Sequence, residues 1–441
     1  MTSTQKSSIV HRTPFFYGWV IAVVATLGII MTNPGQTPVI SIFIDRFIDD
    51  LGISRSLISS LYLVGTVVGG LSLSVWGRQI DRHGPRLMTG VIAGLLGVAC
   101  LYMGFVQNAV MLGFGFVLLR MLGQGGLSLV SRHVVNQWWV RRRGLVVGLT
   151  GVAAALLGMG LFPNIVHSLL GRYPWRITYA ILGGALLLGM APLSLALLRD
   201  RPEDYGLEPD RDGAQDEERA PDGGDPLVES QKAPSPERDW TLERAVRTPS
   251  FWVVAVSFFA SAMLGTGLYF HMVDIFDSRG LAPQVAAAVY VPISVTSALV
   301  RLGSGYLADR IQMRYLMTAS MGALTLVMVM AQVFNSVPLA LLYGVLMGVN
   351  GGLSQTIGGV VWASYFGRRH LGAIAGLAST ISVIGSALGP LPLGLARDLL
   401  GSYNTALLIE ALLPVALAIA NLVIGRPTRH MPQARAGKPS S

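Results

Sequence analysis

The chain contains 441 residues, of which 52% are hydrophobic and only 13% are charged, and its formal net charge is +9. A soluble protein carries roughly 25% charged residues, so this composition excludes an ordinary water-soluble domain. The positive charge is expected to lie on loops at one face of a membrane, which argues against a nucleic-acid partner. The one cysteine, Cys100, excludes an intramolecular disulfide.

Twelve segments are apolar and long enough to cross a bilayer, which takes about 20 residues. In chain order they are predicted near 16–43, 56–78, 85–106, 108–134, 143–169, 174–198, 251–276, 283–308, 314–334, 337–364, 371–396 and 402–424. The sequence therefore predicts an all-α membrane protein with twelve transmembrane helices in contact with membrane lipid. Trp138 and Trp139 are predicted to anchor it at the membrane–water interface.

Arginine residues cluster in the loops that follow spans two, four, eight and ten, and in the tail. All of these loops lie on one side of the predicted membrane. An excess of Lys and Arg marks cytoplasmic loops, so both termini are expected in the cytoplasm. Lysine occurs only at Lys6, Lys232 and Lys438. This preference for arginine indicates a bacterial source, and therefore the bacterial inner membrane.

The segment 199–247 interrupts the apolar pattern with most of the acidic residues and with Pro, Gly and Ser. Such a segment cannot bury a core, so a flexible cytoplasmic linker is predicted. It separates an N-terminal half (1–198) from a C-terminal half (248–425), and a basic cytoplasmic tail (426–441) follows. Because one chain holds both halves, a monomer is expected.

The two halves repeat each other. Gly52 corresponds to Gly280 and Tyr62 to Tyr290, an offset of 228 residues in both cases. The same offset relates Gly77 to Gly305, Asp81 to Asp309, Arg82 to Arg310, Arg86 to Arg314, Gly144 to Gly372 and Gly148 to Gly376. Six spans per half make this a parallel repeat with pseudo-symmetric halves. In transporters built this way, the substrate site lies near the midplane between the halves.

A loop motif joins spans two and three: Gly77-Arg-Gln-Ile-Asp81-Arg82-His-Gly84-Pro-Arg86. Gly77 is expected to let span two approach a neighbour closely, and Gly84 to permit a tight turn. Asp81 is expected to accept hydrogen bonds from helix-start amides or to pair with arginine. The motif and its copy after span eight resemble the signature loop of the major facilitator superfamily. The resemblance implies that fold and a conformational latch built from Gly77, Asp81, Arg82, Arg86, Gly305, Asp309 and Arg310.

Four further stretches resemble the oxalate/formate and monocarboxylate porter groups of that superfamily. They are Asn33-Pro-Gly-Gln36-Thr-Pro, Asn136-Gln-Trp138-Trp139-Val-Arg-Arg-Arg-Gly144, Arg201-Pro-Glu-Asp-Tyr-Gly-Leu207 and Arg301-Leu-Gly-Ser-Gly305-Tyr-Leu-Ala-Asp309. The resemblance implies a small carboxylate substrate held by the arginine of span eight, Arg301. Span eleven lacks the lysine that accompanies this arginine in the oxalate exchanger type, which favours a monoanion, although Arg120 offers a second cation.

Charged groups inside a bilayer cost about 2.5–3.5 kcal/mol at a helix centre, so the few that occur are the first candidates for function. They are Arg120, His271, Asp274, Arg301 and Glu410. The guanidinium group of Arg301 presents a planar fork that matches a carboxylate. The alternative is a structural arginine paired with Asp274 or Glu410. For Arg120, a buried structural or gating role is an equal alternative.

Histidine titrates near neutral pH, so His271, one turn before Asp274, is a candidate proton carrier or substrate ligand. Asp274 is a second proton-coupling candidate, with a loop cap as its alternative. The other expected substrate ligands are polar: Asn33, Gln36, Gln124, Tyr290, Ser294, Asn350 and Gln355. Asn33 and Gln36 flank Pro34 and Gly35, which break span one and free carbonyl groups. The alternative for each amide is a hydrogen bond between helices.

These features predict a secondary transporter that carries a small monocarboxylate, such as lactate or pyruvate, together with protons by alternating access of the two halves. Three alternatives remain open: an exchanger of organic anions, an efflux pump for lipophilic solutes, and a non-transporting membrane sensor. The sequence contains no P-loop, metal-ligand cluster or nucleophile–base arrangement. An enzyme, a cofactor and ATP as the energy source are therefore not expected.

Overall fold

The computed structural model describes Val10, residues 13–139, 142–207, 240–308, 310–367 and 371–425, and Pro427. Most of the predicted linker and almost all of the basic tail lie outside these residues. The described chain contains twelve helices long and apolar enough to cross a membrane, as predicted. They are α1 (Gly18–Leu51), α2 (Arg55–His83), α3 (Pro85–Met103), α4 (Ala109–Trp138), α5 (Leu145–Leu170), α6 (Trp175–Leu197), α7 (Pro249–Phe270), α8 (Pro283–Ser304), α9 (Met313–Val333), α10 (Val337–Phe366), α11 (Ala373–Leu400) and α12 (Asn404–Val423).

Several helices depart from regular α geometry. Helix α1 contains a tight 3-10 turn at Asn33–Gly35, where Pro34 removes a backbone donor. Wide π-helical turns occupy Arg120–Leu127 in α4, Ala154–Leu161 in α5 and Ala185–Met190 in α6. Such turns occur frequently at functional sites, and α4 lines the cavity described below.

The packing of buried side chains follows the two halves. The buried residues of one hydrophobic core come from the first half of the chain with one exception, and those of two others come from the second half. Phe270, at the end of α7, is the exception. Its ring packs on Tyr62 of α2 with 4.6 Å between centroids. Each half therefore packs as its own bundle, and the halves meet along selected faces.

The internal repeat is visible in the backbone. Gly52 and Gly280 both lie in the left-handed region, at φ 63° and 74°, which favours glycine because it has no Cβ. Each of them closes a turn before the second helix of its half. Tyr62 and Tyr290 are both fully buried. Residues related by the offset of 228 therefore occupy equivalent places.

The first span is longer than the sequence predicted, because α1 continues to Leu51 instead of ending near residue 43. Its last turns alternate buried and charged positions, with Phe47 fully buried. Asp45 pairs with Arg55 at 2.6 Å and Asp50 pairs with Arg176 at 2.7 Å. These partners, which lie on other helices, allow the helix to continue past its apolar run.

Trp138 and Trp139 do not anchor the protein at the membrane surface, so that prediction was wrong. Both are buried, at 0% and 1% exposure. The indole N–H of Trp138 donates to the carbonyl oxygen of Arg199, and that of Trp139 donates to the carbonyl oxygen of Gly18. Both indoles therefore tie the end of α4 to the start of α1 and to the segment after α6, where carbonyl groups lack helical partners.

The loop between α2 and α3 is bound to the end of α6. Gly84 turns the chain at φ 81°, as expected. The amide N–H of Arg86 donates to Asp200 and not to Asp81, and its guanidinium donates to the carbonyl oxygen of Leu195. A Cβ at Gly77 would meet no described atom within 4 Å, so the expected close approach of a neighbouring helix is not found among the described residues. Of the second copy, Asp309 lies outside the described residues.

Candidate functional site

A cavity of about 220 Å³ lies between the two halves. Its walls are formed by Gln36, Thr66, Gly69, Gly70, Leu73, Arg120, Gln124, Gly125, Ser128 and Arg132 of the first half and by Val383 and Ser386 of the second. The volume is below the usual range for drug-sized ligands and suits a small solute. The described residues of these walls include two arginines and no acidic side chain.

Arg120 is the most deeply buried charge of the cavity, with 1% of its surface exposed. Its Nη1 donates to the carbonyl oxygen of Gly35 at 3.1 Å, and its guanidinium lies 4.7 Å from the centre of the Tyr62 ring. Nε and Nη2 have no hydrogen-bond partner within the described chain. Buried charges are normally paired, so this guanidinium has unused donors suited to an anion.

The break in α1 supplies the one hydrogen-bond acceptor that Arg120 has in the described chain. The 3-10 turn at Asn33–Gly35 interrupts the regular ladder of α1, and the carbonyl of Gly35 turns toward α4. This outcome agrees with the expectation that Pro34 and Gly35 free a carbonyl for the cavity. Gly35 also lies against the backbone of Leu119, which keeps α1 and α4 in close contact beside the site.

Replacing Gly35 with alanine is expected to lower thermal stability and transport together. The new methyl group would lie 2.2 Å from the carbonyl oxygen of Leu119, and backbone atoms cannot turn aside. The cost should reach at least the roughly 1–3 kcal/mol typical of overpacking. Gly148→Ala is the matched control, because a Cβ there meets nothing within 4 Å. Equal midpoints of thermal unfolding for the two variants would contradict the close contact at Gly35.

The wide turns of α4 align four polar side chains along the cavity: Arg120, Gln124, Ser128 and Arg132. An α turn takes 3.6 residues and a π turn takes more than four. Residues four apart are therefore displaced around the helix axis in one direction in an α turn and in the other direction in a π turn. Where both kinds of turn occur, residues spaced by four stay on one face. The sequence pattern indicated Arg120 and Gln124 as ligands but not Arg132. The repeated spacing of four was the signal that pointed to it.

Arg301 belongs to α8 of the second half and faces the first half. Its Nη1 lies against Gly151 of α5, 3.0 Å from where a Cβ at that position would be. It is close enough to Arg132 for the two guanidinium charges to repel each other. The structural alternative of a pair with Asp274 is not observed, because Asp274 contacts Arg55 and Arg397. Arg301 has no acidic partner among the described residues.

A buried ionic cluster joins the halves at the end of the bundle opposite the arginine-rich loops, called here the far end. Arg55 of α2 contacts Asp45 at 2.6 Å and Asp274 at 3.0 Å. Asp274 also contacts Arg397 at 3.0 Å and accepts a hydrogen bond from Tyr403 at 2.6 Å. Asp274 is only 6% exposed, so it is not a surface loop cap. The cluster closes the far end.

His271 lies behind this cluster and not in the cavity, and its surface is fully buried. Its Nε2 is 2.8 Å from the carbonyl oxygen of Pro390, which can only accept, so Nε2 carries a proton. Its Nδ1 faces the hydroxyl of Tyr403 at 3.4 Å. That hydroxyl already donates to Asp274. Complete burial disfavours a charge on the ring, so with the far end closed the arrangement suits the neutral ring with its proton on Nε2.

The other predicted ligands have different surroundings. Gln36 lines the cavity and donates to Thr32. Asn33 donates to the carbonyl of Ile30, Asn350 to Ser320, and Ser294 to the carbonyl of Tyr290. These three bonds stay within one half, as expected of side chains that stabilise helices. Tyr290 reaches across the halves to Ser41 at 3.2 Å. Gln355 is exposed on α10.

Comparison with known proteins shows one consistent relationship. Residues 18–390 match the sequence model of the Major Facilitator Superfamily. The chain is 23% identical to the oxalate:formate antiporter of Oxalobacter formigenes over 398 residues, covering 87% of each chain. It is 26% identical to human monocarboxylate transporter 11, covering 93% of this chain and 83% of the other. It is 24% identical to a probable sulfoacetate transporter of Cupriavidus necator, covering 85% and 84%.

Solved structures share the fold. A D-xylose–proton symporter superposes with a TM-score of 0.66 at 16% identity, over 92% of this chain and 97% of the other. A bacterial homologue of the human lysosomal transporter Spinster, in an inward-facing and occupied conformation, superposes with a TM-score of 0.64 at 15% identity, covering 92% and 95%. At these identities the likeness concerns the architecture of twelve helices in two halves.

Proposed function

Because the chain belongs to the Major Facilitator Superfamily, we propose that it is a secondary transporter of small organic carboxylates that binds its substrate between the two halves. In folds of this kind the halves rock around a site near the midplane. The cavity that contains Arg120 lies between the halves, and the cluster around Arg55 and Asp274 closes the far end. Access from the opposite, arginine-rich end fits this arrangement.

The observation that carries the proposal is the buried guanidinium of Arg120, which has two nitrogen atoms without hydrogen-bond partners. A buried charge without a counter-ion is costly, and no acidic side chain among the described lining residues supplies one. A carboxylate that enters the cavity provides both the charge and the acceptors. The names of the relatives, which include carriers of oxalate, formate, monocarboxylates and sulfoacetate, are consistent with such a substrate.

Proton linkage is part of the proposal, with a monocarboxylate such as lactate or pyruvate as the sequence-based expectation. The support is the position of His271, a buried ring that suits its neutral form here, next to the pair of Asp274 and Arg55 that joins the halves. Opening of the far end would separate Asp274 from Arg55 and admit water and protons to Asp274 and His271. We further propose a monomer in a bacterial inner membrane, with the arginine-rich loops in the cytoplasm.

An exchanger of organic anions is the second candidate. The observation that favours it is the lack of a carboxyl group among the lining residues of the cavity. Among its described lining residues the cavity therefore offers no carboxylate whose protonation could be coupled to the binding of the substrate anion. In exchange, the counter-anion replaces the proton as the driving solute, and the arginine site serves both anions in turn.

Uptake of radiolabelled lactate and pyruvate into proteoliposomes tests the proposal. We expect an inward proton gradient to drive uptake in the wild type, Arg301→Ala to abolish it, and His271→Gln to remove its dependence on the gradient. Uptake that responds to internal counter-anion but not to the gradient would select exchange. If the folded wild type moves no organic acid under either condition, carboxylate transport is refuted.

A further inference from the structure

Thr66 of α2 lies in the cavity wall and has a hydroxyl group without a partner. The residue is only 3% exposed, and its Oγ1 forms no hydrogen bond within the described chain. The hydroxyl of a helical threonine can bond to a carbonyl oxygen of the preceding turn. Thr26, Thr89 and Thr318 each donate to the carbonyl oxygen four residues earlier. The Thr66 hydroxyl does not, so it is free for a group that enters the cavity.

Two contacts place Thr66 level with the side chain of Arg120. One turn before Thr66, the centre of the Tyr62 ring lies 4.7 Å from the guanidinium carbon of Arg120. One turn after it, Gly69 packs on the backbone of Arg120, where a Cβ would meet the carbonyl carbon at 3.1 Å. Residues three and four apart are neighbours on a helix surface, so Tyr62, Thr66 and Gly69 share one face of α2. Thr66 therefore lies between the positions that contact the backbone and the charged end of Arg120.

The unused groups of Arg120 and Thr66 face one small cavity without bonding to each other. Nε and Nη2 of Arg120 and Oγ1 of Thr66 are each unpartnered within the described chain, and both residues line the same walls. Nε and Nη2 form a planar fork that matches the two oxygens of one carboxylate. A hydroxyl can both donate and accept, so Thr66 can bind a hydroxyl or a carbonyl oxygen. An acid with such an oxygen on the carbon next to its carboxylate can satisfy all three groups.

We infer that Thr66 is a substrate ligand that binds an oxygen on the carbon next to the carboxylate, and that the carrier therefore prefers 2-hydroxy and 2-oxo acids to plain carboxylates. This inference rests on the proposed binding of a carboxylate at Arg120 and deepens it, because Arg120 alone does not distinguish these acids. An acid without that oxygen leaves the Thr66 hydroxyl buried and unpaired, which weakens binding. An oxygen farther along the carbon chain lies away from Thr66, because Thr66 is level with the side chain that holds the carboxylate.

Uptake of size-matched acids into proteoliposomes at pH 7 tests this inference, under one proton gradient and again in exchange for internal lactate. The probes are lactate, pyruvate, propionate and 3-hydroxypropionate, and lactate differs from the last only in the carbon that bears the hydroxyl. For the wild type we expect lactate and pyruvate to be preferred over the other two by about tenfold. Thr66→Val, which keeps the shape and removes the hydroxyl, should lower the ratio of lactate to propionate uptake by about tenfold. Thr66→Ser should keep most of the ratio. Thr89→Val is the matched control, because the buried Thr89 donates to its own helix and its loss should leave the ratio as in the wild type.

The outcomes separate the inference from the proposed function on which it rests. Equal uptake of lactate and 3-hydroxypropionate by the wild type would overturn the inference, whatever the variants do, and leave carboxylate transport standing. An equal loss of lactate and propionate uptake in folded Thr66→Val would mean that Thr66 binds the carboxylate itself, which also overturns it. A ratio unchanged in that variant would exclude Thr66 as a ligand. If folded wild-type protein moves none of the acids under either condition, carboxylate transport itself is refuted. Should Thr66→Val fail to fold, Thr66→Ala takes its place in the same comparison.

Discussion

Replacing Arg120 with glutamine is expected to abolish carboxylate transport without destabilising the fold. Hydrogen bonds to charged groups contribute about 1.5–3 kcal/mol each, so losing the contacts of Nε and Nη2 with an anion should reduce uptake on the order of a hundredfold. The empty protein, however, contains this charge buried and without an acidic partner. Removing such a charge relieves a desolvation cost. Thermal unfolding should therefore occur at the same or a higher temperature.

The combination of lost transport and retained stability distinguishes a substrate ligand from a structural arginine. A structural Arg120 would show a lower unfolding temperature in the glutamine variant, and uptake would fall only as far as the folded fraction. Arg176→Gln is the matched control, since this arginine pairs with Asp50 away from the cavity. It should transport as the wild type does. Addition of substrate should raise the unfolding temperature of the control but not of Arg120→Gln.

Replacing Arg55 with alanine is expected to open the far end of the molecule. Breaking a buried ion pair by removing one partner costs about 3–5 kcal/mol, and each 1.4 kcal/mol changes an equilibrium tenfold. The ratio of the closed form to the form open at the far end should therefore fall by about two to three and a half orders of magnitude. Ser59 is fully buried beside Gly394 where the halves meet. A cysteine introduced at Ser59 should therefore be labelled faster by a thiol reagent when the far end opens.

Arg397→Gln provides the matched control for the Arg55 variant. Arg397 also contacts Asp274 at 3.0 Å, but both residues belong to the second half. Its loss should leave the labelling rate of the cysteine at Ser59 close to that of the parent protein. The native Cys100 is buried and should contribute little signal. Equal acceleration by the two variants would mean that the cluster stabilises the second half without holding the halves together.

The sequence predicted the architecture because hydropathy and internal repetition are properties of short, continuous segments. Each of the twelve spans is apolar over a length that a bilayer requires. Gly52 and Gly280 both form left-handed turns that favour glycine, so this part of the repeat can be recognised from the sequence. Span lengths were less predictable where charged residues such as Asp45 and Asp50 are paired with distant arginines. Such pairs depend on tertiary structure.

The site was predicted only in part for the same physical reason. Arg120 was found because an arginine in the middle of an apolar run is unusual. Arg132 was missed because it lies near the end of such a run, where arginine is ordinary, and because a spacing of four keeps residues on one face only when π turns occur, which the sequence did not predict. The bond of Asp274 to Arg55 joins residues far apart in the chain. The sequence identified Asp274 as a candidate but not its partner.

The arginines that line the cavity, and Arg301 near Arg132, also make the carrier sensitive to the membrane potential. Whichever end of the bundle is closed bears most of the voltage, because an open cavity fills with water and takes the potential of the compartment that it faces. Each positive charge then favours the negative compartment by up to about 2.3 kcal/mol per 100 mV. An empty carrier with Arg120, Arg132 and Arg301 unneutralised therefore rests with its cavity toward the negative side. A bound anion cancels part of this bias, so the loaded carrier turns more readily than the empty one.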